Sequence, residues 1–143
     1  MKKLACVLVA SIGLLTVGVF VRLFYIHTLD ASVTDLKSSR GQLAVNRLHV
    51  TIWIGDRRAL VLAGNAYAYG WGGLVRNRVL AELYLARADS ECSAKGSKQM
   101  CGLEEEAIAK AYAAGENGVP FDETEARHWS KVAKLRKSVV HGR

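Results

Sequence analysis

Hydrophobic and polar positions change their pattern several times along the chain. Behind Lys2 and Lys3, the stretch from Leu4 to Val21 is apolar and uncharged, and after Arg22 the apolar character resumes through Ile26. A run of about 18 such residues is long enough to span a bilayer as a helix. Leu29, Val33, Leu36 and Leu43 then follow with helical spacing, and Asp30 is placed to cap a helix continuing from the apolar run. Ser38-Ser39 and Gly41 interrupt that spacing. Leu48-His49-Val50-Thr51-Ile52-Trp53-Ile54 alternates and is rich in β-branched residues, which is a strand pattern. A lone strand has nothing in this chain to pair with. The expectation is therefore a helix that caps the segment beginning near Asp56, with strand addition to a partner's sheet edge as the alternative.

Beyond residue 56 the pattern becomes alanine-rich and repeats itself. Tyr67, Gly70, Gly73, Leu74, Asn77, Ala81, Tyr84 and Ala88 recur at an offset of 45 as Tyr112, Gly115, Gly118, Val119, Asp122, Ala126, Trp129 and Ala133. Each copy predicts two helices joined by a glycine turn. In the second, residues 103–114 are strong helix formers and Gly115 falls at the C-terminal cap. After the turn, Asp122 opens a helix with Glu125 as capping-box partner, and Ala126, Trp129, Val132 and Ala133 share one face. In the first, Asp56 caps a helix ending near Tyr69, Gly70 to Leu74 turns the chain, and Asn77 caps a return helix through Ala88. Alanines let two helices approach closely, and one aromatic per hairpin fills the gap between them. A period of this size is the mark of stacked units, none of which buries its apolar face alone, and such arrays commonly bind other proteins.

These residues resemble the SEL-one-like repeat, a relative of the tetratricopeptide repeat. The first half of that pattern matches Ala63 to Gly70 and Ile108 to Gly115, and Gly118-Val119-Pro120-Phe121-Asp122 matches its middle. Both turns are one residue longer than the common form, and Ser90–Gly102 reads as a linker inserted between the copies. The resemblance implies a short α-solenoid of two helical-hairpin repeats, and with the apolar run read as an N-terminal transmembrane helix the expected fold is all-α. The expected organisation is a signal anchor over 1–29, a stalk and capping segment over 30–56, repeats over 57–90 and 102–135, and a basic tail over 136–143. It also implies an adaptor role, often in bacterial envelopes, and carries no catalytic residues with it.

The ends of the chain add the compartment. Lys2, Lys3 and the terminal amine favour a cytoplasmic N-terminus, which puts residues 30–143 in the periplasm of a bacterial inner-membrane protein. No small-x-small cleavage site comes after the apolar run; a cleaved signal and a buried soluble helix are the alternatives. Cys92 and Cys101 bracket the linker, and their spacing suits neither zinc nor a redox Cys-x-x-Cys pair. In an exported chain they are expected to form a structural disulfide; two free thiols are the alternative. Cys6 is read as a small apolar residue of the membrane segment.

Charge is uneven. Residues 91–125 hold eight acids and three lysines, whereas 127–143 hold six Lys/Arg and no acid. The basic tail suits anionic headgroups, an acidic protein, or simple solvation. Nucleic acid is not expected, because no aromatic-basic interleaving or binding motif accompanies the positive charge. No nucleophile elbow, phosphate loop or metal-protease helix occurs, His27, His49, His128 and His141 are scattered, and no cofactor or metal is expected. The leading expectation is a protein–protein interaction module without enzymatic activity. It would serve as an adaptor, as an assembly factor for a secretion complex, or, by the resemblance, as an immunity protein occluding a secreted toxin. Partner contact is expected at Asn65, Tyr69 and Lys110 in a concave groove, and at Trp71 as an exposed aromatic on the turn. The alternative from another class is an envelope hydrolase acting on cell wall or β-lactams.

Overall fold

The computed structural model describes residues 2–94 and 101–141, with side chains at 16, 18–90 and 101–138. The fold is all-α. Its helices are α1 (Lys2–Lys37), α2 (Gly41–Trp53), α3 (Arg57–Tyr69), α4 (Arg78–Ala94), α5 (Leu103–Ala114) and α6 (Glu123–His141), with a 3-10 turn at Trp71–Gly73 between α3 and α4. Neighbours in sequence pack as antiparallel partners, α1 with α2, α3 with α4 and α5 with α6, and the pairs join through α2–α3 and α3–α5. The stack thus contains a hairpin, α1–α2, that the repeat pattern does not include.

That extra hairpin resolves the ambiguity over 48–54, which is helical. Gly41, Ala44, Val45, Leu48, Thr51 and Ile52 are buried along α2, the spacing of one helix face, and Leu48 and Ile52 enter a core with Ala59, Leu60, Ala63 and Ala88. Burial on that face outweighs the weak strand preference of the β-branched residues. The buried Thr51 hydroxyl donates to the Leu48 carbonyl, so its polarity is satisfied within the helix. Asp30 caps nothing, because α1 runs unbroken to Lys37. The chain reverses at Ser39, which is left-handed at φ 58°, and the Arg40 amide donates to the Asp35 carbonyl at 2.9 Å. Asp35 is buried and held by Arg40 and Arg47 at 2.9 and 3.0 Å, tying α1 to the turn and to α2. At Gly41 a Cβ would lie 2.6 Å from Leu74 Cγ and 2.7 Å from the Trp71 carbonyl, so only glycine lets α2 start against the 3-10 turn.

The turns of the two repeated hairpins are closed by the same bonds, 45 residues apart (Tyr67 to Tyr112). Gly70 and Gly115 end α3 and α5 in the left-handed region at φ 74° and 70°, where a side chain would be strained. The Asn77 amide then donates to the Tyr67 carbonyl at 3.0 Å, and the Asp122 amide to the Tyr112 carbonyl at 3.0 Å. Asn77 Oδ1 accepts from the Leu80 amide as Asp122 Oδ1 accepts from the Glu125 amide, capping α4 and α6. The expected capping box is half formed: Glu125 does not reach back but extends to Arg78 at 3.1 Å. Helix α4 runs past Ala88 to Ala94. Between the hairpins lies a core of Ala68, Tyr69, Ala81, Leu85, Ile108, Tyr112, Ala126 and Trp129.

Among the described residues no helix is long and apolar enough to cross a membrane. The run from Leu4 on which the anchor expectation rests lies mostly outside the described side chains.

Trp129 is 1% exposed and is the largest side chain in that core. Trp129→Ala should cost about 3–5 kcal/mol, a large part of the stability of so small a domain. Thermal unfolding of the full chain, monitored by circular dichroism, should show a markedly lower midpoint; an unchanged midpoint would mean that the hairpins do not pack as described.

Candidate interaction surface

The residues expected to bind a partner separate into distinct environments. Asn65 points at the next hairpin, where its Nδ2 donates to Glu104 Oε2 at 3.3 Å. Tyr69 is buried in the same seam, and burial, reinforced by Glu104 and Tyr112, pushes its phenol up to about 12. Trp71 is half-buried, not exposed: its ring stacks on Tyr69 at 4.9 Å and packs against the cores on both sides of α3. Only Lys110 is on open surface, 77% exposed and paired with Glu106 at 3.3 Å. The expected shared groove therefore does not form. In a stack, the helix face bearing Asn65 and Tyr69 is turned toward the next unit, so these residues hold hairpin to hairpin.

Polar contacts along the same seam share that structural character. Tyr112 donates its hydroxyl to the Ala68 carbonyl at 2.8 Å, Arg78 pairs with Glu125 at 3.1 Å, and His128 Nε2 meets Glu82 Oε1 at 2.6 Å. At the far end the Gly102 amide donates to Asp89 Oδ2 at 3.2 Å. The Cys101 thiol is buried there, 3.9 Å from the Asp89 carbonyl. The Cys92 side chain lies outside the described residues, and so does the expected Cys92–Cys101 bridge.

A buried acidic pair, Asp89 and Glu105, has no counterpart among the sequence expectations. Burial raises the Glu105 carboxyl to about 7, with the Asp89 charge adding to it; Arg136, 3.8 Å away, only partly offsets this. Asp89 is raised as well, chiefly by burial, against the Gly102 amide and the Arg136 charge. No group of three or more His, Cys, Asp or Glu is placed to hold a metal among the described residues.

Among the described residues, two concavities open to solvent bear on binding. One, of about 240 Å³, lies at the turns and is lined by Arg76, Arg78, Tyr112, Pro120, Asp122 and Glu125, among others. It is a charged notch in which Arg78 and Glu125 already pair with each other. The other, of about 500 Å³, runs along the outward face of α5 and α6, over Ala109, Ala113, Ala126 and Ser130 and beside Lys110, Arg127, Lys131 and Lys134. Small floor residues and a row of cations suit this surface to receive another molecule. Compared with protein-family models, with curated proteins and with solved structures, the chain matches none.

The buried acid and the half-buried tryptophan each have a measurable consequence. A carboxyl raised in the folded state keeps its proton longer than in the unfolded chain, so stability falls as pH rises from the ordinary glutamate value to about 7. Melting temperature should therefore decline between about pH 5 and pH 8, and Glu105→Gln should remove most of that decline, worth about 3 kcal/mol at the alkaline end. The half-exposed Glu106, lowered by its bonds to Lys137 and Lys110, acts with the opposite sign and contributes little. A flat profile for the unmodified protein would contradict the buried acid. Trp71→Ala, which loses the Tyr69 stack and contacts to both cores, should lower the melting midpoint, though less than Trp129→Ala; an unchanged midpoint would return Trp71 to the surface.

Proposed function

We propose that this chain is a membrane-anchored protein–protein interaction module of the bacterial envelope, of the SEL-one-like type and without enzymatic activity. The observation that carries the reading is the recurrence of one glycine turn and return-helix cap, with the same closing hydrogen bonds, at an offset of 45 residues (Tyr67 to Tyr112). Such a stack offers long helical faces and a fixed curvature, which suit recognition of another folded chain better than they suit chemistry. Its role is that of an adaptor or assembly factor, or of an immunity protein that occludes an envelope-acting toxin.

Anchoring draws support from the exposed part of α1. Val19, Phe20, Val21, Leu23, Phe24 and Ile26 are 45–75% exposed and cover more than half of the helix circumference, with Arg22 and Tyr25 in the remaining sector, a surface that water does not favour and lipid does. Val19, Phe20 and Val21 end the uncharged run from Leu4, and Leu23, Phe24 and Ile26 resume its apolar character after Arg22. Where the run ends, the Tyr25 hydroxyl donates to Asp56 Oδ2 at 2.8 Å, while Asp56 Oδ1 caps α3. This bond holds the hairpin stack against the base of α1. Trp53 and Ile54, 75% and 63% exposed, precede Asp56, and Arg57 and Arg58 come directly after it. An aromatic beside basic residues at this level fits the headgroup layer.

The test uses the full chain. An alkaline phosphatase fusion after Arg143 should be active, and tagged protein extracted from membranes in mild detergent should retain a partner in near-stoichiometric amount. An inactive fusion would overturn the orientation, and purification without any partner under cross-linking conditions would overturn the module reading.

A further inference from the structure

The internal repeat identifies what the open face of the last hairpin is for. In the first hairpin, the side of α3 and α4 that receives the second is defined by its contacts: Asn65 to Glu104, the Ala68 carbonyl to Tyr112, Glu82 to His128, Leu85 in the shared core, and Asp89 to the Gly102 amide. Moved along by the repeat offset, those positions become Lys110, Ala113, Arg127, Ser130 and Lys134. All five line the 500 Å³ groove on the outward face of α5 and α6. The groove is therefore the geometric equivalent of a face already seen to dock two helices, left open because the described stack stops there. Its charge is inverted. Glu82 and Asp89, the acids of the occupied face, correspond to Arg127 and Lys134, and the neutral Asn65 corresponds to Lys110.

We infer that this face docks an acidic amphipathic helix of a partner protein. The inference rests on the interaction-module reading and adds to it the place of contact and the chemistry of the partner. Alanine and serine on the floor admit a helix at close approach, as Ala68 and Ala81 do in the occupied seam. Arg127, Lys131 and Lys134 make no ion pair among the described residues and are exposed, so each is available to a carboxylate. Glu106, the one acid of the groove, is already bonded to Lys137 and Lys110 and does not oppose an incoming acid. A second copy meeting the first through this face would bring cation against cation, which disfavours it. A bilayer would call for bulky apolar side chains to insert, and the floor has none.

The full chain in phosphatidylcholine nanodiscs provides the test. The probe is a labelled synthetic helix of about 20 residues, roughly 30 Å long, with alanine and leucine on one face flanked by glutamates, read by fluorescence anisotropy; its counterpart carries lysines in place of the glutamates. The glutamate helix should bind and the lysine helix should not. The double variant Arg127→Glu/Lys134→Glu, which changes only exposed side chains and should melt as the parent does, should lose at least about tenfold in affinity for the first and gain affinity for the second. No binding of the glutamate helix, or binding that the double variant leaves unchanged, would overturn the inference. So would displacement of the probe by phosphatidylglycerol vesicles, which would assign the face to lipid, or self-association abolished by the double variant. If the double variant still retains the envelope partner, the module reading stands and this face is removed from it.

Discussion

One backbone hydrogen bond sets the shape of the whole stack. After the left-handed glycine that ends the first helix of a hairpin, the chain passes through a short turn and returns its amide to a carbonyl of the last helical turn: Asn77 to Tyr67, and Asp122 to Tyr112. Closing that loop fixes where the return helix begins and at which angle it runs back. The residue that donates the bond also caps the new helix with its side chain, so turn and helix start are one device. This device sets the register that brings Ala81 and Leu85, and then Ala126 and Trp129, into the core, and the polar contacts that align one hairpin on the next. Because it occurs twice with the same geometry, the second hairpin presents outward the surface with which the first holds its neighbour.

Two hairpins would bury too little by themselves, since stacks of this kind usually need at least three units. The missing unit is α1–α2, which has none of the tyrosine, glycine and alanine spacing of the others. It docks by different means, Leu36, Ala44 and Ala66 in a small core and the Gly41–Gly72 close approach, while Asp35 held between two arginines ties the hairpin together internally. Since α1 also carries the exposed apolar residues leading toward the N-terminus, the helix that stabilises the stack is the one proposed to enter the bilayer. The Tyr25–Asp56 bond makes the coupling tight, because the capping residue of α3 is the acceptor.

Where local chemistry decides structure, the sequence is legible. Residues 103–114 are helix formers between two glycines and form a helix with those limits; Asp56, Asn77 and Asp122 cap as their side chains suggest. Where tertiary burial decides, it is not. The alternation in 48–54 favours a strand locally, and only the neighbouring α3 and α4 make a helix of it. Asn65 and Tyr69 vary between copies as specificity positions would, but which way they face depends on how hairpins stack, which no single copy contains. Trp71 sits in a turn, a place where side chains are normally exposed, yet the turn itself is pressed between two cores. Asp89 and Glu105 are invisible as a site because nothing local distinguishes a buried acid from a solvated one. The inverted charges at Arg127 and Lys134 stand in the sequence as part of a basic segment, and acquire meaning only beside their counterparts Glu82 and Asp89, which lie in contact across a seam.

The most direct measurement of this architecture is amide hydrogen exchange on the full chain in nanodiscs, read at Asn77 and Asp122. Both amides stand at the ends of glycine turns, where unprotected loop amides exchange fast. If each is held by the returning carbonyl, the two should be protected to a similar degree and to the level of the core amides of α4 and α6, despite lying 45 residues apart (Asn77 and Asp122) in sequence. Rapid exchange at both, or protection at one alone, would contradict a stack made from one hairpin used twice.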